Sequence, residues 1–171
     1  MDIERLIRDI PDFPEPGIVF KDITPVLANP QAFAEVIDHF VERYRRHPVD
    51  AIVGIDARGF LLAAPVAYSL SIPLIPVRKQ GKLPFHTHSV AYELEYGSNV
   101  VEMHTDALVK GHRVAILDDL LATGGTMAAA AELVEAGGGV VAELGVLIEL
   151  GALGGRSLLT GRPFHTLLTI Q

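Results

Sequence analysis

Apolar runs alternate with helical patterns along most of this chain. Ala51-Ile52-Val53-Gly54-Ile55 is a short apolar run that stops at Asp56; helical spacing then runs from about residue 59 to 70, and a second apolar run covers residues 74–77. A strand, a helix and a strand in that order imply parallel pairing, because the return connection has to cross over the sheet. Upstream, Phe33, Val36, Ile37, Phe40 and Val41 recur at helical spacing between Pro30 and Pro48, which predicts a helix. The opening residues Ile3, Leu6, Ile7 and Ile10 also have amphipathic spacing, ending at Pro11, and the prolines and glycine crowded into residues 11–17 predict a rigid extended loop. Downstream the period changes. Residues 90–96 alternate with a period of two, Gly97-Ser98-Asn99 reads as a turn, and residues 100–104 follow, which together predict an antiparallel excursion. A buried strand at 114–117, an alanine-rich helix at 126–135 and strands at 140–148 and 165–170 complete the pattern. The expected fold is α/β, a mainly parallel twisted sheet flanked by helices.

No internal repeat, low-complexity tract or long linker interrupts the 171 residues, so a single domain spanning 1–171 is expected. With 49% hydrophobic residues it has the material for a sizeable core. The charge-free stretch 60–77 is long enough to raise the question of a membrane span, but Pro65, Pro73 and Pro76 break it. A helix, a turn and a buried strand account for it better. The lack of cysteine excludes a disulfide framework or a thiolate zinc site, and the charged start Met1-Asp2-Ile3-Glu4-Arg5 is unlike a signal peptide. A cytoplasmic protein with no membrane partner is the expectation. A net charge of -7 argues against nucleic-acid binding by bulk electrostatics and leaves room for a local basic site.

The candidate chemistry sits where the strand at 114–117 ends. Ligands of open parallel sheets bind at the carboxyl ends of strands, and two adjacent carboxylates, Asp118 and Asp119, arrive there. An ionised carboxylate only accepts hydrogen bonds, so the pair suits both hydroxyls of a cis-diol, or the waters around a magnesium ion. Ala122-Thr123-Gly124-Gly125-Thr126 then supplies consecutive backbone N–H groups, two hydroxyls and a helix N-terminus, the parts of a phosphate cradle. Together these describe a ribose 5-phosphate site, although either half alone suits a helix cap or an ordinary strand-to-helix turn equally well. The common nucleotide fingerprints fail. Gly81-Lys82 is followed by Leu83 instead of Ser or Thr, and no Gly-x-Gly-x-x-Gly opens a helix after the first strand.

Val114-Ala115-Ile116-Leu117-Asp118-Asp119-Leu120-Leu121-Ala122-Thr123-Gly124-Gly125-Thr126 resembles the phosphoribosyl pyrophosphate motif of the type I phosphoribosyltransferases, and within them the likeness is greatest to members that act on adenine. Four further blocks carry the likeness in order. They are Phe13-Pro14-Glu15-Pro16-Gly17-Ile18-Val19-Phe20-Lys21-Asp22-Ile23, Ala57-Arg58-Gly59-Phe60, Arg78-Lys79-Gln80-Gly81-Lys82-Leu83-Pro84 and Leu94-Glu95-Tyr96-Gly97. The resemblance implies an N-terminal hood, residues 1–28, over a base site, and an antiparallel flexible-loop excursion. It implies magnesium-dependent transfer of phosphoribose from phosphoribosyl pyrophosphate to adenine, giving AMP and pyrophosphate, by a protein whose relatives commonly form homodimers. Asp118 and Asp119 would take the ribose and Ala122, Thr123, Gly124, Gly125 and Thr126 its 5-phosphate. No direct protein ligand to magnesium is implied, Asp118 and Asp119 reaching it through water.

The other blocks acquire roles the same way. The Asp56-Ala57-Arg58 turn would contact pyrophosphate, in some relatives with a cis peptide near Asp56-Ala57, and Arg58 would stabilise the departing group; alone, Arg58 reads equally as a surface residue opening a helix. Arg78, Lys79 and Lys82 concentrate positive charge in an acidic chain, a run that alone reads as a solvated loop. In relatives this segment begins a mobile loop over the reacting centre, with Lys79 and Lys82 directed to pyrophosphate or to closure and Tyr96 helping to close it. Phe20 taken singly is a core residue; in the hood it would stack on the base, with backbone groups near Val19 and Lys21 pairing with the amine and N1 of adenine and Leu120 as the opposite wall. Relatives often carry arginine at Lys21. Glu95 is the candidate acid or base for the N9 proton, whereas Glu93 and Glu95 on one face of a strand read simply as solvent-facing carboxylates. His86 and His88 depart from the family's loop sequences and have no obvious third ligand. Two other readings stay open: the same sugar site with guanine, xanthine or orotate as acceptor, and a non-catalytic sensor of phosphoribosyl pyrophosphate or nucleotides.

Overall fold

The computed structural model describes residues 2–93 and 97–171. The chain opens with a 3-10 turn at Glu4–Leu6 and a hairpin of β1 (Arg8–Pro11) and β2 (Val19–Asp22), then passes through a short helix α1 (Thr24–Ala28) into α2 (Pro30–Arg46). The amphipathic spacing of Ile3 to Ile10 thus yields one helical turn and then a strand. Pairing with β2 in the register Ile10↔Phe20 satisfies the backbone of residues 8–11 as strand. α2 begins where expected, because the Asn29 side chain accepts from the N–H groups of Gln31 and Ala32, both at 3.1 Å, and Pro30 fills the first position.

β3 (Ala51–Ile55), α3 (Arg58–Leu70) and β4 (Leu74–Lys79) form the expected crossover unit, α3 continuing through Pro65. β5 (Thr87–Glu93) and β6 (Ser98–His104) are the antiparallel excursion, followed by β7 (Arg113–Leu121), α4 (Gly125–Ala136), β8 (Val140–Leu150), two 3-10 turns at Gly151–Leu153 and Gly155–Leu159, and β9 (Phe164–Ile170). The seven strands from β3 onward make one sheet in the order β5-β6-β4-β3-β7-β8-β9, parallel from β4 to β9 and antiparallel at β5 and β6. Ser98 and Asn99, expected in a turn, pair with Glu93 and Tyr92 inside this hairpin.

The sheet is covered on both faces, which is why β3 reads as an unbroken apolar run: all five of its residues are buried. Val53, Ile55, Ile116 and Val146 face α4 through Met127, Ala130 and Leu133. Ile52, Ala115, Leu117 and Leu147 face α2 and α3 through Phe40, Leu62 and Val66, and Ile3, Ile23 and Val26 of the N-terminal segment join that cluster. No helix among the described residues is long and apolar enough to cross a membrane.

One boundary matters for the site. β7 was expected to end at Leu117 and instead runs to Leu121, because its parallel ladder with β8 continues through Asp118↔Val146 and Leu120↔Ile148. The two carboxylates are therefore strand residues, held by the sheet.

Candidate active site at the carboxyl ends of the parallel strands

β3, β4 and β7 deliver their carboxyl ends to a cavity of about 280 Å³. Asp56, Ala57 and Arg58 reach it from the end of β3, Arg78 and Lys79 from β4, Asp118 and Asp119 from β7, and Thr126 from the first turn of α4. Eight residues singled out from the sequence thus line one space. Lys82, on the same turn as Lys79, is exposed and lies outside the lining.

Asp119 is 3% exposed, and its Oδ2 has no hydrogen-bond partner. The guanidinium of Arg58 comes within 3.1 Å of that oxygen without the alignment of a hydrogen bond. A buried anionic oxygen left open in this way is costly unless a ligand completes it. Asp118 Oδ1 accepts from the Asp119 N–H at 2.9 Å. Burial, reinforced by the neighbouring Asp119 charge, holds the Asp118 carboxyl well above the usual carboxylate range, against the opposing pull of that hydrogen bond and of Arg58. Gly59 makes the approach possible: a Cβ there would stand 2.8 Å from the Leu117 carbonyl oxygen and 2.9 Å from Asp118 Oδ1.

Arg58 also lies over the Phe20 ring, 4.8 Å from its centroid, so one guanidinium spans β2 and the acidic pair. The Asp56-Ala57 peptide before it is cis. Arg78 donates from Nε to Asp56 Oδ2 at 2.9 Å, tying the ends of β3 and β4 together. In the N-terminal segment, Phe13 meets Phe20 edge-on at 5.2 Å, Val19 is exposed, and the Lys21 ammonium pairs with Asp9 at 2.7 Å, outside the cavity lining; Leu120 on β7 is half-buried. Among the described residues β2 pairs only with β1, and its other edge has no strand partner.

The glycine turn is shaped from outside as well as from within. Gly124 has φ +90°, and a Cβ there would run into the Gly155 carbonyl oxygen; one on Gly155 would run into the Ala122 carbonyl oxygen. The 3-10 segment at Gly155–Leu159 therefore forms the floor of the turn. Thr126 Oγ1 donates to the Tyr92 hydroxyl at 3.0 Å, and the Tyr92 ring packs beside Gly125. Gly155 and Tyr92 had no role in the sequence reading. The Gly154-Gly155 pair was the available signal for the first, and only knowledge of which strands neighbour α4 could have found the second. Glu95 and Tyr96 lie outside the described residues. His86 and His88 join no group of three or more potential metal ligands among the described residues.

Residues 22–157 match the phosphoribosyl transferase domain family. The adenine phosphoribosyltransferase of Chloroflexus aurantiacus is 56% identical over 167 residues, covering 98% of this chain and 96% of its own. Among solved structures, the adenine phosphoribosyltransferase of Thermoanaerobacter pseudethanolicus superposes with a TM-score of 0.96 at 49% identity, over 99% of this chain and 98% of its own. That of Saccharomyces cerevisiae, crystallised with D-2,5-dideoxy-2,5-imino-altritol 1,6-bisphosphate and adenine, gives 0.92 at 40% identity over 98% and 97%. A mainly parallel sheet ending in an acidic pair and a glycine turn, and this breadth of likeness, lead to one assignment: the chain belongs to the phosphoribosyl transferase family, among its adenine phosphoribosyltransferases.

Proposed function

We propose that this enzyme transfers phosphoribose from phosphoribosyl pyrophosphate to N9 of adenine in a magnesium-dependent reaction, giving AMP and pyrophosphate. The observation that carries the reading is the open, buried Oδ2 of Asp119 beside a positive-φ glycine turn, an acceptor for sugar hydroxyls next to a cradle for phosphate. The yeast relative crystallised with a bisphosphate and adenine supports the same pairing of ligands.

In this reading Asp118 and Asp119 hold the ribose hydroxyls, and residues 122–126 anchor the 5-phosphate throughout. As the bond from C1 to the pyrophosphate oxygen breaks, positive charge grows on the ribose, where the carboxylates oppose it, and negative charge grows on pyrophosphate, where Arg58, Arg78, Lys79 and Lys82 oppose it. N9 then bonds to C1 and its proton passes to Glu95. Residues 1–28 act as the hood. Phe20 and Leu120 enclose the base, and the open edge of β2 near Val19 and Lys21 pairs with its polar rim. The acidic pair fits magnesium held through water. When bound, magnesium would neutralise charge on the pyrophosphate. A homodimer accords with the exposed apolar residues Leu61 and Tyr68 on α3; size-exclusion chromatography with light scattering tests it.

Purified protein supplied with phosphoribosyl pyrophosphate, magnesium and, in turn, adenine, guanine, xanthine or orotate should release pyrophosphate with adenine. No release with adenine would sink the assignment. Lys21→Ala should leave the KM for adenine within about twofold, because the mostly buried side chain is already turned to Asp9 and its ammonium supplies no contact to the base. A large rise would show that the ammonium itself contacts the base. Gly124→Ala should lower Tm by at least about 2–8 °C, the effect of a left-handed backbone cost of about 1–2 kcal/mol, because its Cβ would in addition meet the Gly155 carbonyl oxygen, and should raise the KM for phosphoribosyl pyrophosphate by about tenfold as one N–H leaves the phosphate. Calorimetry and initial rates check both.

A further inference from the structure

Glu102 lies in β6, is 7% exposed, and is not part of the cavity wall. Its strand partners are Arg78 on β4 and Ser89 on β5, so the three side chains emerge on one face of the sheet, that of the Arg78–Asp56 pair. Among the described residues it has no cationic partner within ion-pair distance. Its carboxylate instead accepts from Ser89 Oγ and from the backbone N–H of Gly81, each at 3.0 Å. Gly81 sits in the turn after β4, with φ +81°, where the Lys82 N–H donates to the Lys79 carbonyl at 3.2 Å. Arg78 Nη1 reaches the Lys82 carbonyl at 3.4 Å. A buried anion thus holds one side of a lysine-bearing turn through a charge-assisted bond, and Arg78 holds the other.

We infer that Glu102 is a positioning residue for the pyrophosphate end of the site, fixing the turn of residues 79–82 so that Lys79 and Lys82 are presented to the departing pyrophosphate. The inference rests on the proposed role of those lysines. Lys79 ends β4 in register with Val101 and the Gln80 N–H donates to the Val100 carbonyl at 3.0 Å, so the strand end is already held; it is the exposed tip at Gly81 and Lys82 that would otherwise have to be ordered anew when pyrophosphate binds. The Gly81 N–H bond places that ordering in the folded protein, at a residue that touches no substrate.

The test measures the KM for phosphoribosyl pyrophosphate and adenine in the forward direction and for pyrophosphate in the reverse, together with Tm. Glu102→Ala should raise the two pyrophosphate-dependent KM values by about tenfold, the loss of one hydrogen bond to a charged group, and leave that for adenine unchanged. Glu102→Gln should restore them, since its amide oxygen accepts from Gly81 while its NH₂ donates to Ser89 Oγ. If the alanine variant does not fold, Glu102→Asp keeps the charge, draws the carboxylate back from Gly81, and should reproduce the rise. The inference is overturned by unchanged pyrophosphate KM values in the alanine variant, or in the aspartate variant where alanine does not fold, by an equal rise in all three KM values, or by a glutamine variant as impaired as the alanine one. Lys82→Ala separates the two levels. If it leaves the KM for pyrophosphate unchanged, the lysine assignment fails; if it raises it while Glu102→Ala does not, only the role of Glu102 fails.

Discussion

Asp119→Asn is expected to lower kcat/KM for phosphoribosyl pyrophosphate by about 10²- to 10⁴-fold while leaving the protein folded. The Asp119 carboxylate is buried, and its Oδ2 accepts no hydrogen bond from the protein. In the proposed complex it accepts from ribose hydroxyls, and asparagine would turn an N–H group toward one of them. Two hydrogen bonds to a charged group, each worth about 1.5–3 kcal/mol, set the size of the loss. Stability should move the other way. With the Asp119 charge gone, burial alone raises the Asp118 carboxyl, so its cost in the folded state at neutral pH is smaller.

The sign of the pH dependence follows. A carboxyl raised in the folded state keeps a proton that the unfolded chain, near the ordinary value of 3.8, has already lost. The folded state therefore binds more protons, and the Asp118 contribution to stability declines as pH rises from the ordinary carboxylate range through the raised value. Thermal denaturation between about pH 4 and 8 should show Tm falling with pH more steeply in the wild type than in Asp119→Asn. Parallel slopes would show that the two carboxyls are not coupled. Wild-type kinetics in the variant would remove Asp119 from the sugar site.

Glu95→Gln is expected to lower kcat by about 10²- to 10⁴-fold with KM values and Tm nearly unchanged. Bonding N9 to C1 leaves the imidazole ring of the base with a proton to lose, and an amide cannot take it. Glu95 itself lies outside the described residues, but the strand that leads to it passes the site: a Cβ on Gly125 would stand 3.8 Å from the Glu93 carbonyl oxygen. Glu93→Gln, the same change two residues earlier on an exposed side chain, is the control and should retain full turnover. Undiminished turnover in Glu95→Gln would leave the proton acceptor to be sought elsewhere.

How much of this was legible in the chain depended on how local the signal was. The crossover unit, α2 and the antiparallel hairpin were readable because each element carries its own period and its own caps or breakers, such as Asn29 and Pro30 before α2. The misjudged places are those where a neighbouring strand decides. Residues 8–11 are extended because β2 pairs with them, and β7 continues through Asp118 and Asp119 because β8 runs alongside. Neither fact has a trace in the local pattern, since pairing partners are chosen by packing across the sheet.

The proposal of a phosphoribosyl site at residues 114–126 came from sequence alone, because a strand, an acidic pair, a glycine turn and a helix start follow one another there and need no distant partner to be read. Tertiary structure alone decided that Arg58 spans Phe20 and Asp119, that Gly155 floors the glycine turn, and that Glu102 holds the Gly81 turn. Each of these contacts joins segments far apart in the chain. The first exists because β3 lies beside β7, the second because β7 lies beside β8 and the third because β6 lies beside β4, and that neighbour order goes with burying both faces of the sheet, a property of the whole packed core that no stretch of residues carries by itself.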